Sequence, residues 1–182
     1  MRLPKKANWR WLGAVGVAAC LALPAQAVIK RLYPLADIIA DADSIRLARV
    51  IVRDRQSHQV TLKPASTLKG DPESVRFSLA LSGSDHGSEL PILEERLPPG
   101  RTVLFFGKRG RFALGYTNGT WFRLAEPERA GRPWRFAHLE PYLTRTFRGS
   151  TEALRRTVTD VLAGKRKAPD PDPTVSPGYG PR

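Results

Sequence analysis

The amino-acid sequence predicts a mainly β domain with a short helix in front of it and a longer helix behind. Three observations carry this. Val75, Phe77, Leu79 and Leu81 alternate with Arg76, Ser78 and Ala80, the period of a half-buried strand. Asn118-Gly119 stands between two apolar runs, a strong two-residue hairpin signal. A helical period of apolar residues marks residues 33–42 and 151–163.

The elements follow in order. Residues 33–42 read as a helix with Pro34 in its first turn and Leu35, Ile38, Ile39 and Ala42 on one face. Residues 44–53 read as a strand whose phase changes. Ile45 and Leu47 share one face and Val50 and Val52 the other, so a bulge is expected near Ala48-Arg49. Residues 60–68 form a second strand, in which Pro64 has no N–H and demands an edge or a bulge. Residues 75–81 form the third. Residues 90–96 can hold a helical turn. After Leu97-Pro98-Pro99-Gly100, residues 101–108 make a continuous apolar strand, and 112–117 and 120–124 complete a three-stranded meander. Residues 125–135 read as polar and irregular, and Glu140-Pro141-Tyr142-Leu143 as the start of a helical turn. Ser150 is the expected N-cap of the last helix, with Glu152 in its first turn. Leu154, Val158, Val161 and Leu162 mark its apolar face, and Gly164 its end. This helix is expected to pack back on the strands. Residues 165–182 have almost nothing to bury and read as a disordered, Pro-rich tail.

The front of the chain reads as an address. A basic stretch with Arg2, Lys5, Lys6 and Arg10 precedes the apolar run 11–23, Pro24, and a small-x-small site at Ala25 and Ala27. That order predicts a signal peptide over residues 1–27 and an exported protein, periplasmic or secreted. The apolar run is shorter than the roughly 20 residues a spanning helix needs, so no transmembrane span is expected in the mature chain. An uncleaved anchor is one alternative. The other is a lipid anchor on Cys20, since Val17-Ala18-Ala19-Cys20 resembles a lipobox. Leu21, Ala22 and Leu23 continue the apolar run where such a signal turns polar.

Cys20 is the only cysteine. A chain beginning at Val28 therefore has no disulfide, no thiolate metal site and no cysteine nucleophile. At about 150 residues it is long enough to stand on one hydrophobic core. Four of the 30 basic residues and none of the 17 acidic ones lie in residues 1–27, so the remainder keeps a net charge of +9. Such a chain attracts anionic envelope polymers and headgroups. The charges are spread along it, which also fits an ordinary solvated surface.

The segments ADADSIRLARVIV, ASTLKGDPESVRFSLAL and GRTVLFFGKRGRFALGYTNG, within residues 34–124, together resemble the netrin-like fold. Their likeness is to the N-terminal domain of tissue inhibitors of metalloproteinases and its bacterial look-alikes. The resemblance implies a five- to six-stranded OB-type barrel over about residues 34–124, inside a domain of residues 28–164, and an exported setting. It carries over no activity. The inhibitors chelate the protease zinc through an N-terminal cysteine, and here the mature chain would begin Val28-Ile29-Lys30.

Candidate chemistry is sparse. Ser82, Ser84, Asp85, His86, Ser88 and Glu89 crowd one loop, yet a triad needs groups that converge from separated places. No G-x-S-x-G elbow, phosphate loop or dinucleotide fingerprint is present, and no cofactor or metal is expected. His58 and His138 stand alone and read as surface or hydrogen-bonded histidines. The candidate binding face interleaves aromatic rings and arginines: Trp121, Arg123, Arg132, Trp134 and Arg135. Such a face stacks on π-systems while neutralising anions. The bland alternative is barrel alternation plus a packed aromatic clasp. The expected function is thus an exported, non-enzymatic binding or adaptor module of the cell envelope. Its partner would be an envelope polyanion or a protein, with no specific nucleic acid. The alternatives are a secreted hydrolase using the 82–89 loop, or an assembly component docking through its last helix and tail.

Overall fold

A long strand, β1 (Ser44–Asp54), is paired along both of its edges. It lies antiparallel to β2 (Gln59–Lys69) on one side and to β4 (Thr102–Lys108) on the other. The structure, a computed structural model, describes residues 32–71, 77–81, 87–108, 112–126, 129 and 132–180. All belong to one compact unit, Arg31–Arg182. The remaining strands are β3 (Phe77–Ala80), β5 (Phe112–Thr117), β6 (Thr120–Ala125) and β7 (Trp134–Leu139). The strand order β1-β2-β3-β7-β6-β5-β4 closes into a barrel. The helices are α1 (Leu35–Asp41), α2 (Leu90–Arg96) and α3 (Thr151–Leu162).

The phase change expected in β1 is present. The register against β2 shifts between Leu47 and Ala48, and again on either side of that point. Ile45 before the shift belongs to an apolar cluster outside the barrel, and Ala48 and Val50 after it belong to the cluster inside. Val52, read as sharing the face of Val50, is 53% exposed, because a further shift falls between those two residues. Pro64 sits opposite Ala48 at the shift, and β2 is paired with β3 only along residues 59–62. Its missing N–H thus falls where a ladder bond is not required.

Two apolar clusters share the sheet as a common wall. The inner one fills the barrel with Val50, Val60, Leu62, Leu79, Val103, Phe122, Leu124 and Phe136. The outer one packs Leu35, Ile38 and Ile39 of α1 and Leu154 and Val158 of α3 against Leu104, Phe106, Tyr116 and Trp121. Strand β4 is continuously apolar because Val103 and Phe105 face inward while Leu104 and Phe106 face the helices. Helix α2 closes one end of the barrel with Leu93, followed by Leu97, both 0% exposed.

The strand count corrects the expectation of five to six. The seventh strand, β7, begins in the last two residues of the stretch 125–135 read as polar and irregular and runs on through 136–139, where no element was expected. Its alternation is short. Trp134 and Phe136 turn inward, then a register shift against β6 makes Leu139 the next inward residue. At the back of the chain, Ser150 Oγ accepts the N–H of Ala153 at 3.1 Å, as a cap should. Leu162, read as part of the apolar face of α3, is 39% exposed instead. It is the last residue of the helix.

The tail differs from the expected disorder. Asp172 N–H donates to Arg145 O at 2.8 Å, Gly178 N–H to Pro141 O at 3.1 Å, and Gly180 N–H to Gly119 O at 3.1 Å. Arg145 Nε donates to Val175 O at 2.8 Å. Residues 172–180 therefore form a strap over the 3-10 turn Pro141–Arg145 and the β5–β6 hairpin. It is held by backbone bonds rather than by the apolar side chains that the composition lacks. Where the strap crosses the hairpin, Gly180 lies so close to Asn118-Gly119 that a Cβ would overlap Asn118 O. Gly180→Ala is expected to release residues 172–180, which hydrogen exchange reads as lost amide protection there, at a global cost of about 1 kcal/mol or less. Acid should act likewise. The Thr174 hydroxyl, then the Thr174 N–H, hold the Asp172 carboxyl below its ordinary range. A depressed folded value gives stability that is present above the ordinary carboxylate range and lost as pH falls through the folded value. Strap protection should fall in that acidic window.

Candidate functional site

The open end of the barrel is where β1, β3, β5 and β7 begin and β2, β4 and β6 end. Strand alternation brings Phe77, Phe105, Ala113, Leu124 and Trp134 to this end as the lining of a cavity of about 250 Å³. Phe77 and Phe105 meet edge to face with centroids 5.4 Å apart, and Phe105 meets Phe122 deeper in the barrel at 6.2 Å. Two glycines keep the lip open. Gly107 follows Phe105 along β4, and a Cβ there would approach Ser44 Oγ to 2.8 Å. Gly70 turns the chain out of β2 with φ +82°, and a Cβ would meet Asp43 O at 2.7 Å. Asp43, Arg46, Asp71, Lys108 and Glu126 supply charge of both signs around the apolar lining. Lys108 Nζ lies 3.7 Å from Asp41 Oδ1, an exposed pair that contributes little to stability. The site joins an aromatic floor to a polar lip, which suits an apolar group carried next to a charged one.

The predicted face is dispersed by this geometry. Trp121 is 1% exposed and lies in the outer cluster. Its ring is 4.6 Å from that of Tyr116, and its Nε1 donates to Phe147 O at 2.9 Å. It is a packing residue and cannot contact a ligand. Arg123 shares the outer side of β6 and gives Nε to Glu140 Oε1 at 2.9 Å, an oxygen that also lies 3.0 Å from His138 Nε2. Arg132 and Arg135 are exposed. Arg135 follows Trp134 along β7 and therefore points to the opposite side of the sheet. Trp134 turns into the barrel mouth, where its neighbours are Phe77 and Phe105 rather than arginines of the face.

Other sequence candidates have structural partners. Glu89 Oε2 accepts the N–H of Leu139 at 2.7 Å, which ties α2 to β7. Residues 82–86 of the proposed catalytic loop lie outside the described residues, as do Cys20, Ala25 and Ala27. His58 Nδ1 lies 2.6 Å from Glu94 Oε1. Among the described residues no group of three His, Cys, Asp or Glu side chains could hold a metal ion, and no helix is long and apolar enough to cross a membrane. Tyr116, which the sequence did not single out, donates its hydroxyl to Gly149 O. Burial pushes its ionisation well above the ordinary tyrosine range. The mouth residues Phe77, Phe105, Arg46 and Lys108 were legible only as strand residues. Their convergence depends on closure through β7.

Family models, curated proteins and solved structures return no match to this chain.

The two tryptophans are expected to behave differently. Trp121→Ala should cost about 3–5 kcal/mol, as large aromatic truncations in cores do. Trp134→Ala, at a half-buried position, should cost about 1–2 kcal/mol. Urea denaturation of both variants checks the contrast, and equal losses would contradict the placement of Trp134 in the mouth.

Proposed function

We propose that the chain is an exported, non-enzymatic binding module of the cell envelope, built on an OB-type, netrin-like barrel, whose ligand enters the barrel mouth. The observation that carries the site is the cavity floored by Phe77, Phe105 and Trp134 beneath a charged lip. Mouths of β-barrels are common ligand sites, and convergent polar groups over an apolar floor give orientation and specificity. Export is supported by the basic, apolar and small-x-small order of residues 1–27. The OB-type reading is supported by the bulged β1 paired on both edges, the helix α2 between β3 and β4, and the closed barrel order. The seven strands exceed the expected five to six.

Size narrows the ligand. About 250 Å³ is at the small end for pockets that enclose a whole small molecule. It accommodates one ring system or one side chain. The ligand is therefore an apolar or aromatic end group presented by a larger envelope polymer or protein, with a charged neighbour held at the lip. This is an adaptor's mode of binding, and it places recognition in the mouth instead of in an arginine-rich outer face.

Anilinonaphthalene sulfonate, a singly charged aromatic anion that can insert one of its two ring systems, is a suitable probe. Its fluorescence with the purified protein should rise saturably. Trp134→Ala and Ala113→Leu, which remove the floor and fill the cavity, should each weaken it about tenfold. Arg135→Gln should leave it unchanged. Equal affinity in all variants would refute the mouth as the site. Export is checked by the mass of the protein from its host, expected to begin at Val28. An intact residue 1–27 segment would refute cleavage, and a lipid on Cys20 would make the protein an envelope lipoprotein.

A further inference from the structure

Arg96 is the last residue of α2, and it lies on the buried side of the helix. Leu93 stands three positions before it and Leu97 one position after, so the three share a face. Both leucines are 0% exposed and belong to the barrel interior. Arg96 itself is 9% exposed and is the only charged side chain among the buried described residues. Its Nε and Nη1 are both buried and donate to nothing.

Acceptors along α2 already have other donors. Glu94 O takes Arg53 Nη1 at 2.5 Å and the N–H of Leu97 at 3.3 Å. Glu94 Oε1 faces His58 Nδ1 at 2.6 Å. Glu89 Oε2 holds Leu139, and Glu95 is exposed. A guanidinium cannot escape burial by losing its proton. An uncompensated buried charge is strongly unfavourable, whereas one that meets a hydrogen-bonding counter-charge is tolerated. The planar fork fits the two oxygens of a carboxylate or phosphate. Arg53 at the end of β1 and His58 in the β1–β2 turn are engaged with Glu94 of the same helix.

We propose that Arg96 is the anchor of an oxyanion site at the helix-closed end of the barrel, distinct from the mouth, taking phosphate or a carboxylate. The bound group supplies the acceptors that the fold withholds from Nε and Nη1. Binding there stabilises the folded chain by mass action, and α2 becomes the element through which the anion is felt.

The test is thermal unfolding of the purified protein in phosphate-free buffer and in sodium phosphate, with sodium chloride matching ionic strength. The wild-type midpoint should rise saturably, by about 5 °C once phosphate exceeds its dissociation constant a hundredfold. An acetate series separates a carboxylate preference from a phosphate preference. Arg96→Met should abolish the rise, and without phosphate it should unfold at or above the wild-type temperature, since it removes an uncompensated charge. Arg96→Lys should retain a weaker, saturable rise. Two results would overturn the proposal. One is an equal phosphate response in wild type and Arg96→Met. The other is Arg96→Met unfolding lower than wild type in phosphate-free buffer, which would mean that the guanidinium is already satisfied within the chain.

Discussion

The short parallel seam between β3 and β7 is the constraint on which the rest of the structure depends. It joins only Leu79 to Trp134 and Ala80 to Arg135, whereas every other neighbouring pair is antiparallel and longer. Without it the sheet would have two free edges, and edges are exposed to pairing with other chains. The seam is stabilised less by its few hydrogen bonds than by what lies behind it. Leu79 and Phe136 are nearly inaccessible there, and Glu89 clips the far end of β7 to the approach of α2. Trp134 stands at the seam's open end, so the residues that close the barrel also build one wall of the mouth.

A barrel wall buried on both sides explains several features that otherwise look functional. An arginine-aromatic run such as Trp121-Phe122-Arg123 suggests a binding surface when one side of a strand is assumed to be wet. In β6 both sides are covered along much of its length. Phe122 enters the barrel while Trp121 lies under the helices, leaving Arg123 at the margin of that cover. Tyr116 and Trp121 carry their polar atoms to the backbone of residues 147–149. That is how large amphipathic rings are accommodated in a packed layer. Asn118 Oδ1 receives the N–H of Thr151, and Thr151 Oγ1 that of Asn118, both at 3.0 Å. The hairpin turn and the start of α3 are thereby locked together.

Much of this was legible in local pattern, and the remainder was not for identifiable reasons. Period and turn chemistry placed β5 at its observed bounds, put α2 on residues 90–96, and located the β1 bulge within one residue. They failed at β7, where two inward residues precede a register shift and the flanks are polar. Because β7 closes the barrel, the mouth was hidden with it. Trp134 was singled out for its chemistry, and it does line the cavity, but its neighbours come from β3 and β4 rather than from its own segment. Arg96 drew no notice because an arginine ending a short helix is ordinary. Only its burial makes it unusual. The strap escaped a count of apolar side chains because glycines at 178 and 180 contribute backbone bonds alone.

The 3-10 turn Pro141–Arg145 and the residue after it hold segments near both ends of the described chain. Thr146, immediately after it, donates its hydroxyl to Tyr33 O at 2.6 Å, while Pro141 and Arg145 offer their carbonyls to the strap. A tension applied between the two ends would therefore load the Gly180–Gly119 bond at the β5–β6 hairpin first and this turn next. The strap's few backbone bonds would be peeled in sequence, and the hydrogen bond ahead of α1 would be strained alongside them. The barrel staves are linked by long antiparallel ladders and would remain unstressed until both fastenings had given way. The molecule is thus built to fray at its fastenings and to keep its container intact.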